Sequence, residues 1–148
     1  MSARMRVLLV PVLAMAGLLD ATYLAVLHLL GEIPPCGAYR GCEAVNTSLY
    51  SELFGIPVAA LGAMLYAAIL GLALPQKEAE GTGRIRRSLM LYAITLAGAL
   101  SMGYLTAVEL FVLHAICYWC IALALITFAL LAIVVRDVWV RGVWMPSF

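Results

Sequence analysis

The sequence predicts an all-α membrane protein, a bundle of four transmembrane helices whose outer loop carries a short amphipathic half-helix. Composition supports this fold class, because 66% of the 148 residues are hydrophobic and only 11% are charged, against roughly 25% charged residues in soluble domains. The length of the apolar runs also supports it, because a helix needs about 20 apolar residues to cross a bilayer. Four such runs lie at residues 7–30, 56–74, 88–113 and 115–135.

The connections between these runs are short, so we expect a single integral membrane domain over residues 1–148. Lys and Arg are retained on the cytoplasmic side of membrane proteins. Every Lys and Arg except Arg40 lies before the first run, between the second and third runs, or after the fourth. We therefore expect cytoplasmic N and C termini, a cytoplasmic loop at 75–87 and an outer loop at 31–55.

The N-terminus has a second interpretation, a cleaved secretory signal. Arg4 and Arg6 precede an apolar stretch, and residues 14–16 have the small-residue sequence AMA of a cleavage site. However, the apolar pattern continues to Leu30, beyond the roughly 7 to 15 residues of a signal core. We therefore interpret the first run as a retained span.

The outer loop is predicted to form a lid. Pro34 and Pro35 end the first helix, because proline cannot continue its hydrogen-bond pattern. Over residues 43–54 apolar side chains recur at intervals of about four, which is typical of an amphipathic helix lying on a membrane surface. Such a half-helix would bring Cys42 towards the start of the fourth span.

Four cysteines form two close pairs, Cys36 with Cys42 and Cys117 with Cys120, and the predicted topology places both pairs on the outer side. Disulfides persist in that compartment, so one interpretation is that the cysteines form two structural disulfide bonds. A structural zinc site of four thiolates is a second interpretation, although a helix bundle in lipid does not need a metal ion to hold it together. The third interpretation is redox chemistry, since a Cys-x-x-Cys at a helix N-terminus favours a thiolate and two pairs allow successive thiolate attacks.

The order of motifs resembles the vitamin K epoxide reductase family, most closely its prokaryotic members. The motifs are the cysteine pair of the outer loop, CEAVNTS at 42–48, FGIPVAALG at 54–62 and CYWC at 117–120. The resemblance covers nearly the whole chain, from about Gly17 to Val135. It implies a quinone-dependent thiol-disulfide oxidoreductase of the prokaryotic inner or plasma membrane, with its active site on the periplasmic or extracellular side.

The partners implied by the resemblance are a separate thioredoxin-like, DsbA-type protein and a quinone of the ubiquinone, menaquinone or vitamin K type. Cys36 would exchange electrons with the partner protein. Cys42 would relay them to Cys117, and Cys120 would reduce the quinone. The protein would thereby support disulfide bond formation.

The resemblance also implies a quinone pocket. Its expected members are Ser48, Phe54, Val58, Leu61, Leu65 and Ala124. Animal members of the family use an Asn and a Tyr to hydrogen-bond the quinone, and the matching positions here, Val58 and Ala124, cannot donate. Ordinary quinone reduction is therefore expected in place of epoxide reduction.

Two acids, Asp20 and Glu109, lie within predicted spans. An ionised acid at that depth costs at least about 2.5 to 3.5 kcal/mol, so each should face the bundle interior. They form either a proton path to the quinone or structural hydrogen bonds to nearby tyrosines. We expect no metal site, and the sequence contains no nucleic-acid-binding patch.

Other functions stay open at this point. A DsbB-type quinone oxidase is also four-helical, but its Cys-x-x-Cys belongs to the first outer loop and its spaced pair to the second, the reverse of the order here. A vitamin K epoxide or quinone reductase is a further alternative. Outside enzymology, the chain could be a structural or transport bundle with two inert disulfides.

Overall fold

The computed structural model describes residues 3–36, 40–74 and 82–140, with side chains from residue 8 onward. The elements within these residues are α1 (Ala3–Leu30), α2 (Gly41–Asn46), a 3-10 turn (Leu49–Ser51), β1 (Glu52–Leu53), β2 (Ile56–Pro57), α3 (Val58–Ala73), α4 (Thr82–Val108), a π-helical turn (Glu109–Leu113) that continues α4, and α5 (Tyr118–Val140). The predicted domain over residues 1–148 therefore extends beyond the described part of the chain.

Three helices of the described chain are long and apolar enough to cross a membrane. They span Leu8–Leu30, Thr82–Leu113 and Tyr118–Val140. The helix α3 is also apolar but has 16 residues, so it is about 24 Å long at about 1.5 Å per residue, against roughly 30 Å of hydrocarbon. The all-α membrane-type fold is as predicted, whereas the count of four spans stays a prediction.

Part of the predicted cytoplasmic loop at 75–87 is helical in the structure. Residues 82–87 are the first turns of α4, and residues 75–81, with Lys77, lie outside the described chain. Arg87 donates hydrogen bonds to the main-chain carbonyl oxygens of Leu72 and Leu74. Because the last carbonyls of a helix lack partners within it, this cation closes the C-terminal end of α3.

The helix of the outer loop is shorter than predicted. In place of one helix over 43–54, the chain forms α2, the 3-10 turn and a small antiparallel hairpin of β1 and β2. Hydroxyl side chains end α2, because Thr47 Oγ1 donates to the carbonyl of Glu43 at 2.8 Å and Ser48 Oγ to that of Val45 at 2.7 Å. Such local bonds compete with the main-chain hydrogen bonds that would continue the helix.

The hairpin turn is formed by Phe54 and Gly55, whose φ angles are 54° and 80°. A side chain is rarely found at such an angle, and Phe54 is 97% exposed. The base of the hairpin is tied to α1, because Glu52 Oε1 lies 2.9 Å from Nε2 of His28.

The bundle is centred on α1, which packs against α3 and α5, while α4 packs against α5 and α3. Tyr66 of α3 is fully buried, and its hydroxyl lies 3.1 Å from the Leu123 carbonyl and 2.7 Å from Thr127 Oγ1 on α5. The ring lies against Gly17 of α1, where a Cβ would overlap it. One side chain thus connects α1, α3 and α5.

Candidate functional site

Three of the four cysteines meet at the end of the bundle opposite the basic start of α4. The sulfur atoms of Cys36, Cys42 and Cys117 all lie within 4.8 Å of one another. Cys36 and Cys42 form a disulfide with a Cα separation of 5.9 Å, whereas Cys117 and Cys120 are free thiols. A thiol beside a disulfide is the arrangement that thiol-disulfide exchange requires.

The cluster does not have the donor set of a structural zinc site. Zinc is bound by cysteine thiolates in a tetrahedral set. Two of the three clustered sulfurs, those of Cys36 and Cys42, are bonded to each other. Among the described residues, the cluster within 4.8 Å also excludes Cys120, so the geometry favours sulfur exchange over metal binding.

Contacts on both sides of the disulfide hold the outer loop on the bundle. The main chain at Gly41 packs on the carbonyl of Ile116, so the residues just before Cys42 and Cys117 touch. On the other side, Trp119 Nε1 donates to the Pro35 carbonyl at 3.2 Å. The Trp119 ring also lies against Tyr23 of α1, with 5.1 Å between ring centroids.

Cys117 is the N-terminal cap of α5 and lies between the spans Thr82–Leu113 and Tyr118–Val140. Its carbonyl accepts a hydrogen bond from the N–H of Ile121 at 3.0 Å, and its Sγ accepts one from the N–H of Cys120 at 3.4 Å. The pKa of Cys117 is lowered from its ordinary value, chiefly because the Cys120 thiol donates a hydrogen bond to its sulfur, although burial acts in the opposite direction. Cys117 is therefore the better nucleophile of the two.

Glu109 lies behind the Cys-x-x-Cys, at the start of the π-helical turn. Its side chain is buried, with 5% exposure, and Oε2 accepts a hydrogen bond from the N–H of Cys117 at 3.4 Å. The Cys120 side chain lies beside the same carboxyl group and interacts with it. The main chain of Glu109 is fixed as well, because its carbonyl accepts from Ala115 N–H at 3.0 Å.

A cavity adjoins Cys120 where α1, α3, α4, α5 and the outer loop meet. The cavity has a volume of about 80 Å³. This is below the roughly 300 to 1,000 Å³ of typical ligand pockets, but the cavity shares their apolar walls with a few polar groups. The predicted site residues in its lining are Ser48, Val58, Glu109 and Cys120.

The other predicted pocket residues lie outside this lining. Phe54 is at the exposed hairpin turn, and Leu65 packs against Gly98 of α4. On α3 the lining uses Ala59 and Gly62 and does not include Leu61. On α5 it uses Leu123 and does not include Ala124, because neighbouring helical positions differ by roughly 100° in direction.

The cavity has polar walls that the sequence did not single out. Asn46 and Tyr50 of the outer loop and Thr106 of α4 contribute to its lining. The Asn46 amide is anchored by a 2.8 Å hydrogen bond to the Cys42 carbonyl. Asn46 lies within the CEAVNTS motif, so the sequence could have indicated it as a site residue. A single threonine within an apolar helix, such as Thr106, has no feature in the sequence that marks it as one.

Asp20 lies in α1, outside the cavity lining. One of its carboxyl oxygens, Oδ1, is buried with no hydrogen-bond partner among the described residues. Its place in a proton path therefore stays a prediction.

The geometry can be compared with known proteins. A model of the vitamin K epoxide reductase family matches residues 8–135. A search of curated proteins finds no significant match. The matched segment contains both cysteine pairs and the cavity, and the family consists of membrane oxidoreductases that use quinones and thiol redox partners. Because the match covers most of the chain, this multi-pass membrane protein belongs to the vitamin K epoxide reductase family and is an oxidoreductase.

Proposed function

We propose that this protein oxidises the dithiol of a separate thioredoxin-like, DsbA-type partner and passes the electrons to a quinone, thereby supporting disulfide formation. The observation that carries the proposal is the position of the Cys117 thiol beside the Cys36–Cys42 disulfide, with all three sulfurs within 4.8 Å. Cys120 follows on the same helix and lines the cavity, so the sulfurs lead from the outer loop to an apolar site.

The thiol steps begin when a partner thiolate attacks Cys36 and releases the Cys42 thiolate. Cys42 attacks the Cys117 sulfur of an oxidised Cys117–Cys120 pair and releases Cys120. The second partner thiol then displaces Cys36, and Cys36 displaces Cys117 from Cys42. The partner leaves as a disulfide, both cysteines of α5 are reduced, and each step is an attack of a thiolate on an adjacent disulfide.

The cavity fits a quinone ring in its chemistry. Its walls are mostly apolar, and its polar side chains come from the outer loop, from α4 with the π-helical turn, and from Cys120 of α5. A bound quinone would accept two electrons and two protons when the Cys117–Cys120 disulfide forms. Residues Val58, Leu123 and Cys120 would face the ring, with the hydroxyls of Tyr50 and Thr106 as donors where Val58 and Ala124 cannot donate.

The membrane orientation is part of the proposal. The basic residues Arg84, Arg86 and Arg87 begin α4, and the cysteines lie at the opposite end of the bundle. Because cations are retained in the cytoplasm, we place the termini there and the cysteines on the periplasmic or extracellular side of a prokaryotic plasma membrane.

The test is quinol formation by the purified protein with a reduced DsbA-type partner and a quinone. We expect turnover in the wild type and none in Cys120→Ser. The double variant Cys36→Ser, Cys42→Ser should fail with the protein partner but still turn over with a small dithiol that reduces Cys117–Cys120 directly. Quinol formation that survives Cys120→Ser would refute the role of that residue.

Trapping tests the first step. The variant Cys42→Ser cannot resolve a disulfide at Cys36, so a mixed disulfide between Cys36 and the partner should accumulate. If no cysteine exchanges with the partner, the two pairs are instead inert structural disulfides.

A further inference from the structure

We infer that Glu109 is a catalytic residue of this site, whose carboxylate accepts the proton of the Cys120 thiol and releases it to the cavity as the Cys117–Cys120 disulfide forms. The role deepens the proposed function and rests on it for the final acceptor. The contact between Glu109 and Cys120 can be measured without any acceptor.

The position of Glu109 is the first argument. Its carboxyl group touches both halves of the Cys-x-x-Cys, through the N–H of Cys117 at 3.4 Å and through the thiol of Cys120. It also lines the same cavity as Cys120. A proton that leaves the Cys120 sulfur therefore has an acceptor in contact with the thiol and with the place where the electrons go.

The second argument is the composition of the cavity wall. Among the described residues that line it, Glu109 alone has a carboxyl group, and the other titratable side chains are Tyr50 and Cys120. Asp20 and Asp137, the other acids of the spans, are outside the lining. Carboxylates are among the usual general bases of enzymes, and an ionised carboxyl group offers hydrogen-bond acceptors alone.

The third argument is the free-energy cost of placing an acid at this depth in the membrane. A hydrogen bond to the Cys117 N–H needs an acceptor, and an amide oxygen would supply it without placing an acid in the bilayer, where a charge costs at least about 2.5 to 3.5 kcal/mol. Glu109 is 5% exposed and is held between the two cysteines. A structural cap does not require a carboxyl group there, whereas proton transfer does.

The step balances in protons and electrons. The two thiols of Cys117 and Cys120 lose two protons and two electrons and form one S–S bond. A quinone takes up both electrons and both protons. Glu109 carries the proton from the Cys120 Sγ and ends the cycle in its starting state.

The test measures quinol formation with a small dithiol as donor in the background Cys36→Ser, Cys42→Ser. If Glu109 carries the proton, Glu109→Gln lowers kcat by on the order of 10²-fold for the loss of general acid–base catalysis and leaves the KM of the dithiol unchanged. Glu109→Asp should restore part of the rate. The matched control is Glu32→Gln, the same change on an exposed side chain of the outer loop, which should leave kcat unchanged.

The sign of the effect on kcat separates the two roles. A carboxylate that is merely a structural neighbour repels a thiolate, so its replacement by an amide would ease thiolate formation and would not slow turnover. An unchanged or higher kcat in Glu109→Gln would therefore overturn the inference, provided that the variant melts in detergent at the wild-type temperature. Should it melt lower, Glu109→Asp decides, because a kcat equal to that of Glu109→Gln contradicts proton transfer.

Alkylation of Cys120 by a maleimide is the second readout, in the background Cys36→Ser, Cys42→Ser, Cys117→Ser. Because an ionised carboxylate disfavours a neighbouring thiolate, Glu109→Gln should speed alkylation, and an unchanged rate would show that the two groups are apart and would overturn the inference. If the wild type forms no quinol while Glu109→Gln still speeds Cys120 alkylation, the quinone part of the proposed function fails and the contact between Glu109 and Cys120 stands.

Discussion

Gly41 lies against the main-chain carbonyl of Ile116, so closely that a Cβ on Gly41 would overlap the oxygen and lie 2.9 Å from the carbonyl carbon. These residues immediately precede Cys42 and Cys117. The contact between the two backbones therefore sets the separation of the Cys42 and Cys117 sulfurs, between which electrons pass in the proposed function. A residue without a side chain is needed at position 41 because there is no space for one.

We predict that Gly41→Ala separates the two cysteine pairs. The added Cβ must push α2 away from Ile116, and a displacement of about 1 Å at a reacting centre can cost on the order of 10²-fold in rate. Quinol formation driven by the protein partner should fall by about that factor. Turnover with a small dithiol that reduces Cys117–Cys120 directly should be unchanged.

Gly71→Ala is the matched control, since nothing lies within 4 Å of a Cβ at Gly71. Both activities should equal those of the wild type in this variant. Full activity of Gly41→Ala with the protein partner would contradict the role assigned to the close backbone contact.

A second prediction concerns the tether between Trp119 and the Pro35 carbonyl. Trp119→Phe removes the 3.2 Å hydrogen bond but can keep the ring contact with Tyr23. A hydrogen bond contributes about 1 kcal/mol, so the loop should be docked less often and partner-driven turnover should fall several-fold. Trp139→Phe, a change at an exposed residue near the end of α5, should have no effect. Equal rates for the two variants would mean that the tether is dispensable.

The third prediction addresses the stability of the bundle. A Cβ at Gly17 would lie 2.7 Å from Cδ1 of Tyr66 and closer still to other ring atoms. Overpacking of this kind costs about 1 to 3 kcal/mol, so Gly17→Ala should unfold at lower temperature or denaturant concentration in detergent. Gly71→Ala, at an open helical position, should be neutral or gain about 0.5 to 1 kcal/mol. A Gly17→Ala protein as stable as the wild type would show that α1 can move away from Tyr66 at no cost.

The fourth prediction follows from the lowered pKa of Cys117. Its thiolate should persist to lower pH than that of an ordinary thiol, whose pKa is about 8.5. In a Cys36→Ser, Cys42→Ser background, Cys120→Ala removes the hydrogen-bond donor that lowers this pKa, so the midpoint of Cys117 alkylation against pH should rise. Cys120→Ser keeps an O–H donor and should raise it less. Identical midpoints in these two variants would assign the shift to another cause.

The outer loop shows where prediction from sequence reached its limit. The spacing of apolar residues over 43–54 indicated one helix, but Thr47 and Ser48 bond to carbonyls of the preceding turn and end α2. Polar residues next to one another in sequence offer several such bonds of similar strength, and only the folded loop shows which of them form. Phe54, which the resemblance implied for the pocket, lies instead at an exposed turn.

The sequence by itself determined the membrane class, the all-α fold, the family and the two cysteine pairs, because apolar length and residue spacing are properties of the chain that no packing alters. The tertiary structure alone decided which atoms meet. Gly41 against Ile116 and the sulfurs within 4.8 Å join segments far apart along the chain, and Glu109 meets Cys117 across the π-helical turn and the bend that follows it. Such contacts depend on how helices rotate and approach, and a rotation of roughly 100° per residue exchanges Leu123 for Ala124 in the cavity wall.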